Sequence, residues 1–157
     1  MTTLILFDSQ YGNTAQIAGA MAAAISARLL RPTELREDSL SGVGLLVVGS
    51  PTQRFMVTPA LMDWLKNLPK DGLRGVQVAT FDTRLTEQQI KETPVLKLFV
   101  RKSSYGAWWL AKRLQKKGAA LVVPPEGFYV QGTEGPLLPG ELERAADWAR
   151  QVLAAAK

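Results

Sequence analysis

Asp8-Ser9-Gln10-Tyr11-Gly12-Asn13-Thr14 stands between a short apolar run and a long amphipathic stretch. Hydroxyls, an amide and a glycine gathered where a strand hands over to a helix make an anion nest. The first N–H groups of a helix have no acceptor of their own, and glycine lets the backbone turn tightly round a bound group. Ser9 and Thr14 supply hydroxyl donors, and Gln10 lies in the same turn. Asn13 either donates its amide or holds the turn, and Tyr11 either donates through its phenol or shields the site. The loop lacks the lysine of a nucleoside-triphosphate loop, so the chemistry it suggests is capture of a phosphate monoester. Ser50-Pro51-Thr52-Gln53-Arg54-Phe55 is a second hydroxyl-bearing segment, and Asp82-Thr83-Arg84 a third polar one. Pro51 stiffens its loop, and Thr52 either reaches a ligand or caps a turn. Asp82 and Arg84 are spaced to pair with each other.

These segments need a scaffold that brings them together. Thr3 to Asp8 reads as a buried strand. Ile17, Met21, Ile25 and Leu29 recur at helical spacing, which predicts a helix from Thr14 to about Leu30, ended by Pro32. A short edge strand is expected over Thr33 to Arg36. Val43 to Gly49 is the clearest strand, followed by a helix opened by Thr58-Pro59 and carrying Leu61, Trp64 or Leu65, and Leu68. Val76 to Phe81 forms a fourth strand that ends in Asp82-Thr83-Arg84. A short helix is expected over Glu87 to Glu92, within the long connection Leu85 to Tyr105. Ala107 or Trp108, Ala111 and Leu114 mark another helix, closed by Gly118. Ala119 to Val123 is the fifth strand, with Phe128-Tyr129-Val130 extending it or returning beside it. Leu142, Ala145 or Ala146, Ala149, and Val152 or Leu153 mark the last helix. Of Trp108 and Trp109, one is expected in the core and the other at the edge of the cofactor pocket or a dimer contact, because helical neighbours point about 100° apart. Tyr129 and Glu134 are candidates for the pocket rim. Alternating strands and helices predict an α/β fold, a three-layer sandwich with a five-stranded parallel sheet in the order 2-1-3-4-5, built as one domain over residues 1–157. In that order the ligand crevice lies beyond the carboxyl ends of strands one and three, where two of the hydroxyl-bearing loops emerge.

Composition removes whole classes of chemistry. The 157 residues contain neither cysteine nor histidine. Disulfides, thiolate-ligated clusters, cysteine nucleophiles and histidine-based triads are therefore excluded. A bound cofactor that performs the difficult step tolerates both absences. Lack of cysteine suits the cytoplasm, and with no basic segment before Asp8 a signal peptide is not expected. No apolar run approaches a membrane span. The formal charge is +5 at pH 7. Lys112, Arg113, Lys116 and Lys117, with Arg101 and Lys102 before them, crowd one helix end, where cations favour the dipole or form a docking surface for an acidic redox partner. No nucleic-acid reader motif is present, so nucleic acid is not an expected partner. Oligomeric state is not legible.

The loop after strand one, the strand order and the size together resemble the flavodoxin family over essentially the whole chain. In that family the loop pattern is hydroxyl, any residue, hydroxyl, Gly, any residue, Thr; Ser9, Gly12 and Thr14 match it, and Tyr11 stands at the third position. The resemblance implies flavin mononucleotide (FMN), with Ser9, Gln10, Tyr11, Gly12, Asn13 and Thr14 around the phosphate. It also implies that segments Thr52 to Met56 and Asp82 to Leu85 sandwich the ring. Phe55 then faces the ring, backbone groups at Asp82, Thr83 and Arg84 meet its pyrimidine edge, and Arg84 stabilises negative charge on reduced flavin. Two departures stand out. No glycine lies between Thr52 and Met56, where many members place one beside the flavin N5, and the chain is basic where typical carriers are acidic. The implied function is FMN-dependent electron transfer to a redox-partner protein. The alternatives are an FMN-dependent oxidoreductase acting on a quinone or other planar substrate, and a cofactor-free regulatory or interaction protein that keeps the fold.

Overall fold

The computed structural model describes residues 1–52, 57–92 and 105–157. Strands β1 (Thr2–Phe7), β2 (Arg28–Leu30), β3 (Val43–Pro51), β4 (Gln77–Leu85), β5 (Ala120–Leu121) and β6 (Glu126–Val130) are joined with helices α1 (Asn13–Ile25), α2 (Pro59–Asn67), α3 (Glu87–Lys91), α4 (Gly106–Lys116) and α5 (Glu141–Ala155). All ladders between these strands are parallel, in the order β2-β1-β3-β4-β5, and β6 also pairs with β4. The expected five-position sheet is therefore present. Its fifth position is filled by two segments in line. Between β5 and β6 the chain takes five steps, Leu121 to Glu126, while β4 takes three, Val78 to Phe81. Pro124 and Pro125 fall in this interruption, where neither can donate to the ladder. Phe128-Tyr129-Val130 thus extends the fifth strand.

Side chains alternate across the sheet, as the strand period requires. Ile5, Phe7, Leu45, Val47, Ala79 and Phe81 face α1 and α5, meeting Ile17, Met21, Trp148 and Val152. Leu4, Leu6, Leu46, Val48 and Val78 face the other way, onto Leu61 and Leu65 of α2 and Leu110 and Leu114 of α4. Near the carboxyl end of the first face, Phe81, Phe128 and Trp148 form an edge-to-face cluster with ring centroids 6.0–6.2 Å apart.

Three local expectations are corrected. Helix α1 stops at Ile25 because Ser26 turns left-handed (φ 53°), so the second strand is Arg28–Leu30. Leu29, which continued the helical spacing, sits on that strand. The stretch expected as an edge strand, Thr33 to Arg36, instead begins in a 3-10 turn over Pro32–Glu34. Strand β4 runs on to Leu85, carrying Asp82, Thr83 and Arg84 inside the ladder, because β6 pairs with Phe81 to Leu85 on one side while β3 pairs with Asp82 and Thr83 on the other. The short helix is present as α3, opened by a reciprocal cap between Thr86 and Gln89.

Helix α5 is tied to the fifth strand through a polar clasp. The buried Glu141 carboxylate accepts the Tyr129 N–H at 2.8 Å and two hydrogen bonds from Arg144, at 2.8 and 2.7 Å. Arg144 also donates to the Gly127 carbonyl. Burial pushes the Glu141 carboxyl up, but the bonds from Arg144 and Tyr129 outweigh it and hold the group below the usual glutamate range. A depressed carboxyl stabilises the fold above its unfolded-chain pKa and loses that contribution as pH falls through the folded value. Glu141→Gln is expected to lower stability near neutrality, with the gap to wild type narrowing as pH drops below about 4.5. Urea unfolding midpoints measured from pH 7 to pH 3 check this.

Candidate functional site

The sheet register delivers its loops to one level. Phe7 pairs with Gly49 and Gly49 with Phe81, and the Asp8 N–H donates to the Gly49 carbonyl at 3.1 Å. Beyond that level the chain from β1 turns through Ser9 to Gly12 into α1. Gly12 adopts φ 92° with open space where a Cβ would stand, so the backbone conformation, not crowding, calls for glycine. Ser9 organises the turn: its hydroxyl accepts the N–H groups of Gly12 (3.1 Å) and Ala15 (3.3 Å). The Gln16 N–H goes to the Gly12 carbonyl. Among the described residues this leaves the N–H groups of Asn13 and Thr14 without acceptors, at the positive end of a thirteen-residue helix. The Ser9 hydroxyl, having accepted twice, keeps its proton to donate outward.

These groups open onto a cleft of about 830 Å³. Ser9, Gln10, Tyr11, Asn13 and Thr14 line one end of it, and Pro51, Thr52, Thr83 and Arg84 continue the wall. The structure therefore brings together most of the residues singled out from the sequence. Gly12 shapes the loop without lining the cleft. Asp82 lies fully buried beneath it. Gln53, Arg54 and Phe55 fall outside the described residues, as do Arg101 and Lys102. The rest of the lining is largely apolar: Val57, Pro59, Met62, Leu85, Ile90 and Val130, with Tyr105 and Thr133. Sequence reasoning missed these because they serve the helices and the extended β4 and β6, and nothing local marks them as ligand-facing. Tyr129 lines an adjoining hollow of about 600 Å³ with Trp108, while the exposed Glu134 lines neither. Trp109 packs, partly buried, against the α2–α4 core, while Trp108 lines the adjoining hollow and not the main cleft.

A buried polar network fixes the β4 wall. Asp82 and Arg84 form a two-pronged pair, Nε to Oδ1 at 2.6 Å and Nη2 to Oδ2 at 2.8 Å. The Asp82 carboxylate also accepts the Ala107 N–H at 2.9 Å, capping α4, and a bond from Thr52. Thr52 in turn accepts the Gly106 N–H at 3.1 Å. Arg84 stacks on Tyr105, its guanidinium 3.7 Å from the ring centroid. A Cβ on Gly127 would lie 2.2 Å from Arg84 Nε, so glycine is what admits the guanidinium there. Burial pushes the Asp82 carboxyl above the usual aspartate range, against the opposing pull of Arg84, Ala107 and Thr52.

On the other face of β4, the Thr83 hydroxyl meets that of Thr14 at 2.8 Å, both residues being buried. Among the described residues no carboxylate lines the main cleft, and its one cation, Arg84, is already paired. No cluster of described acidic residues could hold a metal ion, and no described helix is long and apolar enough to cross a membrane. The donor set of hydroxyls and free N–H groups at one end, and apolar walls at the other, fits a ligand with an anionic tail and a flat apolar head.

Removing the Asp82 carboxylate strands Arg84 and uncaps α4. Asp82→Ala is expected to destabilise the fold by about 3 kcal/mol or more. The double change Asp82→Leu with Arg84→Met is expected to recover part of that loss, because it removes both charges. Denaturant unfolding of the three proteins checks this.

No curated protein matches the chain. Among solved structures it is similar to oxidised flavodoxin 1 from Bacillus cereus, at 17% identity over all of both chains with a TM-score of 0.76. It is also similar to a WrbA-like flavodoxin from Agrobacterium tumefaciens, at 19% identity over 98% of this chain and 96% of that one, with a TM-score of 0.70. Rubredoxin oxygen:oxidoreductase from Desulfovibrio gigas matches 98% of this chain with 36% of its own, at 18% identity and a TM-score of 0.68. Residues 4–124 match the model of the flavodoxin domain, and with that match extending over most of its length the chain belongs to the flavodoxin domain family.

Proposed function

We propose that the cleft holds FMN and that the protein is an electron carrier of flavodoxin type. The observation that carries this reading is the division of the cleft. Unpaired N–H groups and hydroxyls of neutral residues gather at the α1 end, and apolar side chains line the remainder. Ser9, Asn13 and Thr14 hold the phosphate, with the α1 dipole favouring its charge. Gln10 and Tyr11 flank it, and Gly12 maintains the turn. Pro51 and Thr52 border the cleft, and Arg84 and Leu85 belong to the ring site. When bound, FMN supplies the electron-accepting chemistry, for which this chain has no cysteine pair of its own. The protein's own groups bind it, orient it and exclude water.

Arg84 departs from the role that the family resemblance implies for it. Its guanidinium is engaged by Asp82 and stacked on Tyr105, so it acts as a charge-neutralised wall rather than a free counter-ion. For a protein partner, Lys112, Arg113 and Lys116 are exposed on α4 and offer an acidic partner a basic face. Lys117 is not part of that face, because its ammonium donates to the Leu68 carbonyl at 2.6 Å.

Titration of cofactor-free protein with FMN is expected to give saturable one-to-one binding, in the micromolar range or tighter, followed by flavin fluorescence and the visible spectrum. Thr14→Val is expected to weaken binding by about tenfold or more, from loss of a hydrogen bond to a charged group. A folded protein that binds no FMN overturns the reading. Turnover of a quinone with a nicotinamide donor, faster than free FMN allows, replaces the carrier with an oxidoreductase.

A further inference from the structure

Strand alternation sends neighbouring residues of β4 to opposite duties. Asp82 and Arg84 point toward α4, and Thr83 between them points toward α1. There its hydroxyl lies 2.8 Å from that of Thr14, a residue 69 positions away in the chain. Thr83 is 5% exposed and Thr14 is 1% exposed, yet both line the cleft. The backbone of Thr83 is held as well: its carbonyl accepts the Thr52 N–H at 2.9 Å, and it pairs across the sheet with Pro51.

The two hydroxyls carry two protons. One is spent within the pair, whichever residue donates it. The other has no acceptor among the described residues, although both residues are almost wholly buried. A buried O–H without an acceptor is costly, and the cost disappears when a proton-free oxygen enters the cleft beside it. At the same helix start the N–H groups of Asn13 and Thr14 are also free donors, which call for the same kind of guest. If Thr83 donates to Thr14, the Thr14 proton is left to point at that guest.

We propose that Thr83 is a positioning residue for the phosphate group, setting the Thr14 hydroxyl as a donor to a phosphate oxygen. The proposal deepens the FMN reading above and rests on it for the identity of the phosphate ester. It moves Thr83 from the ring end of the cleft, where the family resemblance implies a backbone contact with the flavin, to the phosphate end. The phosphate site then draws on β4 as well as on the loop after β1.

The test compares cofactor-free wild type, Thr83→Val and Thr83→Ser as they bind FMN and riboflavin, which lacks the phosphate. In parallel, the rise in Tm produced by inorganic phosphate is measured. Thr83→Val is expected to lose about tenfold in FMN affinity, hold riboflavin affinity within about twofold and lose the phosphate-induced rise in Tm, while Thr83→Ser restores all three. Thr83→Ala supplies the same comparison if the valine variant does not fold. Equal losses for FMN and riboflavin overturn the proposal, because they place Thr83 at the ring or in packing alone. Unchanged FMN affinity overturns it too. A wild type that is stabilised by phosphate but does not bind FMN overturns only the FMN reading, and the Thr83 variants are then judged on the phosphate response. A wild type that responds to neither overturns both.

Discussion

The register between β3 and β4 is the constraint on which the rest of the molecule depends. Gly49 and Phe81 are cross-strand partners, and a Cβ on Gly49 would lie 2.0 Å from the Phe81 ring. The missing side chain is therefore what lets Phe81 lie across β3 and meet Phe128 and Trp148. A slip of one residue would send every side chain of β4 to the opposite face. Asp82 and Arg84 would then leave α4, and Thr83 would leave α1. The same pairing aligns Phe7 with Gly49, so that the turn into α1 starts level with Ser50 and Asp82. One aromatic contact deep in the sheet thus governs what reaches the cleft from three separate strands.

The polar groups under the cleft are arranged by a second constraint, the cost of leaving a buried charge or N–H unmatched. Asp82 is fully buried, and every group it meets needs an acceptor: the Arg84 guanidinium, the Ala107 N–H and the Thr52 hydroxyl. Thr52 belongs to the chain leaving β3, and Ala107 lies in the first turn of α4. A single carboxylate therefore ties together the segment after β3, the helix start and the end of β4. Tyr105, immediately before α4, is held against the cleft by its stack on Arg84. The cleft wall is held together by electrostatic contacts, while the layers above and below the sheet are held by apolar contact.

How much of this was legible depended on whether the signal was local. The parallel order, the helix faces and the glycine turn from β1 into α1 each carry a periodicity or a residue pattern, and each is present. The end of α1 was misjudged because Leu29 keeps the helical spacing while the stop is set by the left-handed turn at Ser26. The extent of β4 was misjudged for a different reason. Asp, Thr and Arg in succession read as a loop, and pairing with β3 on one side and with β6, more than forty residues later, on the other makes them a strand. Once they are a strand, alternation separates their roles, which a loop does not. Tyr105 and Ile90 were illegible as wall residues because nothing near them in the chain announces the cleft. Their placement depends on where α3 and α4 settle against β4.

The net charge of the chain does not describe its cleft. Arg31 leans on Asp8, Arg144 is bound to Glu141 and Glu126, Lys117 is used on a carbonyl, and the exposed cations of α4 belong to its solvent-facing surface. Inside the cleft an anion meets no free side-chain charge from the described residues. The cleft presents instead the N–H groups of Asn13 and Thr14 and the hydroxyls of Ser9 and Thr14. Such donors attract less strongly at long range than a lysine, but they are fixed before the ligand arrives and need little reordering to bind it. Selectivity then follows from geometry. The proposed phosphate would face the end of α1, which leaves the apolar walls for the rest of its carrier. A site of this kind puts its precision into backbone conformation and register, and the Gly49–Phe81 contact fixes that register.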